Sequence, residues 1–162
     1  MAINGALTIG TYDGANIEIL NAVGEDNFFL FGQTEQELMR LRQLGYDPLT
    51  YLERCEELKE ALDSIRSGAF SPDDPSRYIP LIDSLLHEGD QFMLLADFES
   101  YLEAQGKVDR LWGDPELWTR KAILNIARTG RFSSDRAVET YAREIWEISP
   151  RASIYPGSHR RN

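Results

Sequence analysis

"GALTIGTYDGANIEI" occupies residues 5–19, and its reading decides the fold. "ALTIG" is an apolar run of strand type, "TYDG" is a polar turn closed by Gly14, and "ANIEI" opens a helical pattern. Ile17, Leu20 and Val23 recur at three-residue steps, and Gly24 stands where a C-cap belongs. Next comes "NFFLFG", Asn27 to Gly32, a second short apolar run rich in aromatics. Strand, helix and strand in this order predict one β-α-β unit with parallel strands and a right-handed crossover.

From Thr34 onward the pattern is helical. "TEQE" is a capping box, with Thr34 bonding forward and Glu37 reaching back, and its helix runs to Gly45. Asp47 as cap and Pro48 at the first helical position open a second helix. It is expected to run unbroken to Gly68 with Leu52, Leu58, Leu62 and Ile65 on one face, and with Cys55 as a buried or half-buried helix residue. "FSPDDPS" is a loop, followed by a helix near Tyr78 to His87 that tolerates Pro80 in its first turn. "QFMLLAD", residues 91–97, reads as a brief extended run, either a third strand or a buried connector. Asp97 is then expected to cap a helix striped by Phe98, Tyr101, Leu102, Val108, Leu111 and Trp112.

Asp114-Pro115 starts a further helix ending near Gly130. Ser133 or Ser134 caps the last, where Val138, Tyr141, Ala142, Ile145 and Trp146 follow helical spacing. Asp-Pro pairs are expected to open three segments as a matter of capping chemistry. The expectation is a helix-rich α/β fold with two or three parallel strands against six or more helices. Parallel sheets are covered on both faces and seldom stand as a pair. "ALTIG" therefore reads as an interior strand of a larger sheet.

The 162 residues suffice for one domain with a sizeable core, and 42% hydrophobic with 27% charged residues is ordinary globular composition. No run approaches the roughly 18 apolar residues of a membrane span, and no signal-peptide core opens the chain. A cytoplasmic location without membrane partners is the expectation. Cys55 is the single cysteine, which excludes an intrachain disulfide and a thiolate metal cluster. A formal charge of −10 opposes nucleic acid and anionic lipid, and the only basic cluster is the terminal "HRRN".

Each site-like feature has an easier structural role. "GTYDG" places Gly10 and Gly14 between strand and helix, as phosphate-binding turns do, but it fits neither G-x-G-x-x-G nor the P-loop. Asp13 is better suited to cap the helix than to meet an anion. The acid pairs Asp73-Asp74 and Glu56-Glu57 suggest metal or two-carboxylate chemistry, yet lie in a loop and on a helix surface. Trp112, Trp118 and Trp146 at helical spacing read as core or interface before sugar platforms. His87 suits a helix C-terminus, and with His159 and Cys55 it assembles no nucleophile, base and orienter.

The opening stretch together with "GEDNFFLFG", "GYDP", "SGAFSP" and "LADFESYLEAQGKVDRLWGDPELWTRKAILNIARTGRFSSDRAVETYAREIW" resembles the glycogen phosphorylase family of α-glucan phosphorylases. The resemblance covers nearly all of Asn4 to Trp146, and "NGALTIGT-x-DGAN" and "WTRKAILN…FSSDR" are its most specific parts. It implies a two-domain glycosyltransferase-B type fold with the active site between two Rossmann-like domains. It further implies phosphorolysis of terminal α-1,4 bonds of glycogen, starch or maltodextrin to glucose 1-phosphate. Pyridoxal phosphate, as a Schiff base on a lysine, is the implied cofactor.

The family pattern E-A-S-G-T-G-N-M-K would place that lysine immediately before Met1. Lys59, Lys107 and Lys121, the lysines of this chain, match no part of that motif. The expectation is thus a C-terminal phosphorylase fragment, whether from a shortened gene, from proteolysis or from expression of a piece. Residues 1–148 would form the last part of the second Rossmann-like domain, and 149–162 a poorly ordered tail. No catalytic, cofactor-binding or metal-binding residue is expected, no bound cofactor, and no activity of the chain alone. The rival expectation is a non-enzymatic acidic helical module. It would self-associate as a homo-oligomer, or dock on the rest of the enzyme, through an exposed sheet edge or the stripe around Tyr141 and Trp146.

Overall fold

The computed structural model describes residues 1–148. The expected tail, 149–162, lies outside the described residues. β1 (Thr8–Gly10) and β2 (Phe28–Leu30) pair in parallel, with Thr8 opposite Phe28, Ile9 opposite Phe29 and Gly10 opposite Leu30. α1 (Gly14–Val23) is the crossover between them, ending where the Gly24 N–H donates to the Leu20 carbonyl at 2.8 Å. The β-α-β unit read from the opening stretch is present, but both strands are shorter than their apolar runs. A strand extends only while a neighbour takes its backbone bonds. The Ala6 carbonyl is taken instead by the Asn125 amide at 2.8 Å, and Asn27 turns its amide onto the Val23 carbonyl at 2.9 Å.

Eight α-helices lie among the described residues. α2 (Glu35–Leu44) carries the complete Thr34–Glu37 capping box. α3 (Pro48–Arg54) begins with the Asp47 carboxylate accepting the Leu49 N–H. The single helix expected up to Gly68 is in fact two, because Cys55 adopts extended backbone between α3 and α4 (Glu56–Arg66). The cause is a phase slip. At about 100° per residue, Leu52 and Leu58 would lie roughly 120° apart around an unbroken helix. The break lets Leu52, Leu58 and the buried Cys55 all meet one cluster.

α5 (Ile79–Leu86) holds Pro80 in its first turn. "QFMLLAD" is not a strand: a turn leads into α6 (Leu94–Trp112), which starts three residues before Asp97. Asp97 therefore falls inside the first turn and does not cap it. The capping acid is Asp90, whose carboxylate accepts the Leu94 and Leu95 N–H groups at 3.0 and 2.8 Å. α7 (Pro115–Thr129) is capped by Asp114, and α8 (Ser134–Glu144) by Ser133. Asp74-Pro75, the remaining Asp-Pro pair, opens only turns.

Two apolar clusters result. One joins Cys55, Leu58, Leu62, Ile82, Leu86 and Leu95 of α3–α6; the other holds Leu20, Val23 and Phe28 around the strand pair. α6 packs on α3, α7 and β2 and so bridges them. Its predicted stripe is only partly inward: Leu111 is buried, but Trp112 lies on the surface with its ring 4.9 Å from that of Trp118. α8 ends at Glu144, short of Ile145 and Trp146, and buries none of its residues.

Candidate functional site

Parallel strands leave their carboxyl ends open to whatever loops follow, which is where open α/β sheets place ligands. A groove lies there, with two lobes of 490 and 420 Å³ that share Thr11, Phe92 and Asp97. Thr11 to Gly14 follow β1, and Phe31 and Gln33 follow β2. Phe92 comes from the turn before α6, Leu94, Phe98 and Tyr101 from its first half, and Glu35 and Leu38 from α2. Phe31 meets Tyr101 edge-on at 5.2 Å, fixing one aromatic wall.

Asp97 ties the wall to the strands. Its carboxylate accepts the Gln33 N–H at 2.7 Å, while the Ser100 hydroxyl accepts the Gly32 N–H at 2.9 Å and donates to the Asp97 carbonyl. Burial pushes the Asp97 carboxyl above its ordinary value; the Gln33 N–H pulls it back, and the negative charge of Asp90 adds to the rise. Asp90 itself is 2% exposed, with φ at 42°, and also accepts the Tyr46 hydroxyl at 2.7 Å. Burial, then the bond to Asp90, raises the Tyr46 phenol and keeps it a donor.

The charged side chains lining the groove are Asp13, Glu35 and Asp97, with no Lys, Arg, His or Cys beside them. Such a surface accepts donors, apolar rings and cations, and opposes phosphate. Asp13 stands at the N-cap of α1 without a side-chain bond to a helix N–H; the Asn16 amide meets its carboxylate at 3.4 Å instead. The capping expected of Asp13 is thus positional only.

The other features lie apart. His87 ends α5 and sits 2.9 Å from Asp83. Glu56, Glu57, Asp73 and Asp74 are exposed, and among the described residues no group of three or more His, Cys, Asp and Glu is placed to hold a metal ion. Lys59 pairs with Glu56 on α4, Lys107 lies exposed on α6, and the Lys121 ammonium donates to the Asp26 carbonyl. The groove lining therefore does not fit pyridoxal phosphate: it holds no lysine for a Schiff base and no cation for a phosphate.

Asp90, Asp97 and Phe92 were not legible as site residues.

Comparison with known proteins settles the lineage. The family model described as carbohydrate phosphorylase matches residues 1–148. The chain belongs to the carbohydrate phosphorylase family. It is 47% identical over 148 residues to the brain form of glycogen phosphorylase from Rattus norvegicus, covering 91% of this chain and 18% of that protein. Against the muscle forms from Rattus norvegicus and Homo sapiens it is 45% and 44% identical over 154 residues, covering 95% of this chain and 18% of each relative. This phosphorylase chain thus spans under a fifth of the length of the curated relatives it matches. No helix among its described residues is long and apolar enough to cross a membrane.

Proposed function

We propose that this chain is a C-terminal portion of a glycogen or α-glucan phosphorylase. The full-length enzyme cleaves terminal α-1,4-glucosidic bonds with inorganic phosphate and releases glucose 1-phosphate in the cytoplasm. One observation carries the reading: 47% identity over 148 residues to a glycogen phosphorylase. In this reading residues 1–148 are the last part of a Rossmann-like domain, and β1 and β2 are two strands of its larger sheet. The half-buried Leu7, Thr8 and Ile9 support this, since an interior strand left with one neighbour keeps a partly open face.

The chain's contribution is positional: it holds the carboxyl ends of two strands in place for a site completed by other residues. Pyridoxal phosphate on a lysine belongs to the full-length enzyme, and the 162 residues alone are inactive and free of cofactor. The acidic, lysine-free groove supports that part of the reading. The test measures glucose 1-phosphate formed from glycogen and phosphate. The 162-residue chain is expected to form none, and a longer polypeptide carrying the E-A-S-G-T-G-N-M-K segment and its preceding domain is expected to turn over. Product from the short chain overturns its inactivity; a silent long chain overturns the phosphorylase reading.

A second reading, of self-association, rests on a separate observation. Val138, Tyr141, Ile145, Trp146 and Ile148 are all between 49% and 65% exposed on and after α8, a concentration of exposed apolar side chains of the kind that marks interaction sites. Sedimentation of the chain is expected to show mass above 18.5 kDa that grows with concentration. A monomer at high concentration counts against it.

A further inference from the structure

We propose that α2 is a lid on the groove, hinged at Gly32 and Gly45 and latched at its two ends by Asp97 and Asp90. Helices in proteins owe most of their stability to a buried face. α2 has only a slight one: none of its residues is fully buried, Leu38 and Leu41 are half-buried, and Leu44 is 74% exposed. Its capping box secures its own first turn but attaches it to nothing else.

Beyond those two leucines, what holds α2 is polar and terminal. Before it, the Gln33 N–H donates to Asp97; after it, the Tyr46 hydroxyl donates to Asp90. One weaker bond, Arg42 to the Gln91 carbonyl at 3.4 Å, joins its last turn to the same approach to α6. Both acceptors flank the start of α6, so the two latches share one anchor. Gly32 stands just before the first latch and Gly45 between α2 and the second, with φ of 84° and 86°, conformations open to glycine and strained for other residues.

The lid is coupled to the groove through Asp97. Glu35 and Leu38 of α2 wall one lobe, and Asp97 lies in both lobes. A molecule that engages the Asp97 carboxylate competes with Gln33 for it and so loosens the first latch. Segments with little burial and few anchoring bonds are those that open locally while a core stays closed.

Hydrogen exchange read by mass spectrometry on the 162-residue chain tests this. Amides of 35–44 are expected to exchange about tenfold or more faster than those of the buried first half of α6. Tyr46→Phe keeps the ring against Tyr51, 5.3 Å away, and removes only the latch hydroxyl. It is expected to raise exchange in 35–44 severalfold and leave α4 unchanged. Equal exchange in α2 and α6, or no change at 35–44 in Tyr46→Phe, overturns the lid. Should Tyr46→Phe unfold α4 as well, Arg42→Ala takes its place with the same two outcomes.

Discussion

The helical cluster of α3–α6 and the strand unit around β1, α1 and β2 are held by different physics. The first closes on itself: Leu58, Leu62 and Ile82 are 2–4% exposed, with Tyr51, Ile65, Phe98 and Leu102 packed around them. The second is smaller, Leu20, Val23 and Phe28 with Ile19 packed against them. It depends on α7, whose side chains reach its backbone. Asn125 donates to the Ala6 carbonyl, Arg128 to Val23 at 2.6 Å, and Lys121 to Asp26. One region is stabilised by apolar area, the other by donors placed on free carbonyls, including that of Val23 at the last turn of α1. The lesson is that a sheet of only two strands keeps its geometry through polar clamps.

The sharpest break in that comparison is Leu62→Ala. Removing a buried leucine from a packed cluster costs on the order of 3 kcal/mol. It is expected to lower the urea midpoint of the whole chain. A loss below about 1 kcal/mol would show that the helical cluster collapses around the gap and is no better packed than the strand unit.

Arg128→Ala attacks the other region and is expected to cost about 1 kcal/mol, since its bond is charge-assisted but its side chain is exposed. The signature is location. Exchange should rise at 20–27 and stay unchanged in α4. A uniform rise would mean that the two regions unfold as one.

The same contrast explains what was legible in the sequence. Caps and turns are local, so Thr34, Asp47, Asp114 and Ser133 were readable from their neighbours, and each caps its helix. The parallel β-α-β unit was equally local. The break at Cys55 was not, because it answers a core contributed by α5 and α6, far along the chain. Nor was Asp90, which caps α6 from four residues before it with positive φ and takes Tyr46 from 44 residues away. The groove is illegible for the same reason: its walls come from three separated segments, and their meeting is decided by packing.

Asp97→Asn bears on the junction between the regions. The folded chain holds the Asp97 proton more tightly than the unfolded chain does, because burial and Asp90 raise its pKa. In the window between the unfolded value of 3.8 and the raised folded value, the folded state binds more protons, so stability falls as pH rises. At pH 7 the ionised carboxylate is a net burden that asparagine removes while keeping an acceptor for Gln33. The variant is expected to be more stable than the parent at pH 7, with the gap closing below the ordinary carboxylate range. A gap constant with pH, in matched urea titrations, would remove Asp97 as its source.

The smallest effect is expected at Leu44→Ser. Leu44 is 74% exposed at the end of α2, so losing it should change stability by less than about 0.5 kcal/mol. A serine in the last turn has slightly lower helix propensity, which sets the direction as weakly destabilising. A cost above about 1 kcal/mol that appears only at high chain concentration would mean that Leu44 is covered by a second copy. The same cost at every concentration would mean that α2 is packed more firmly onto its own chain than a latched lid. In that event the contrast between a self-sealed core and polar anchoring would no longer extend to α2, and its exchange would match that of α6.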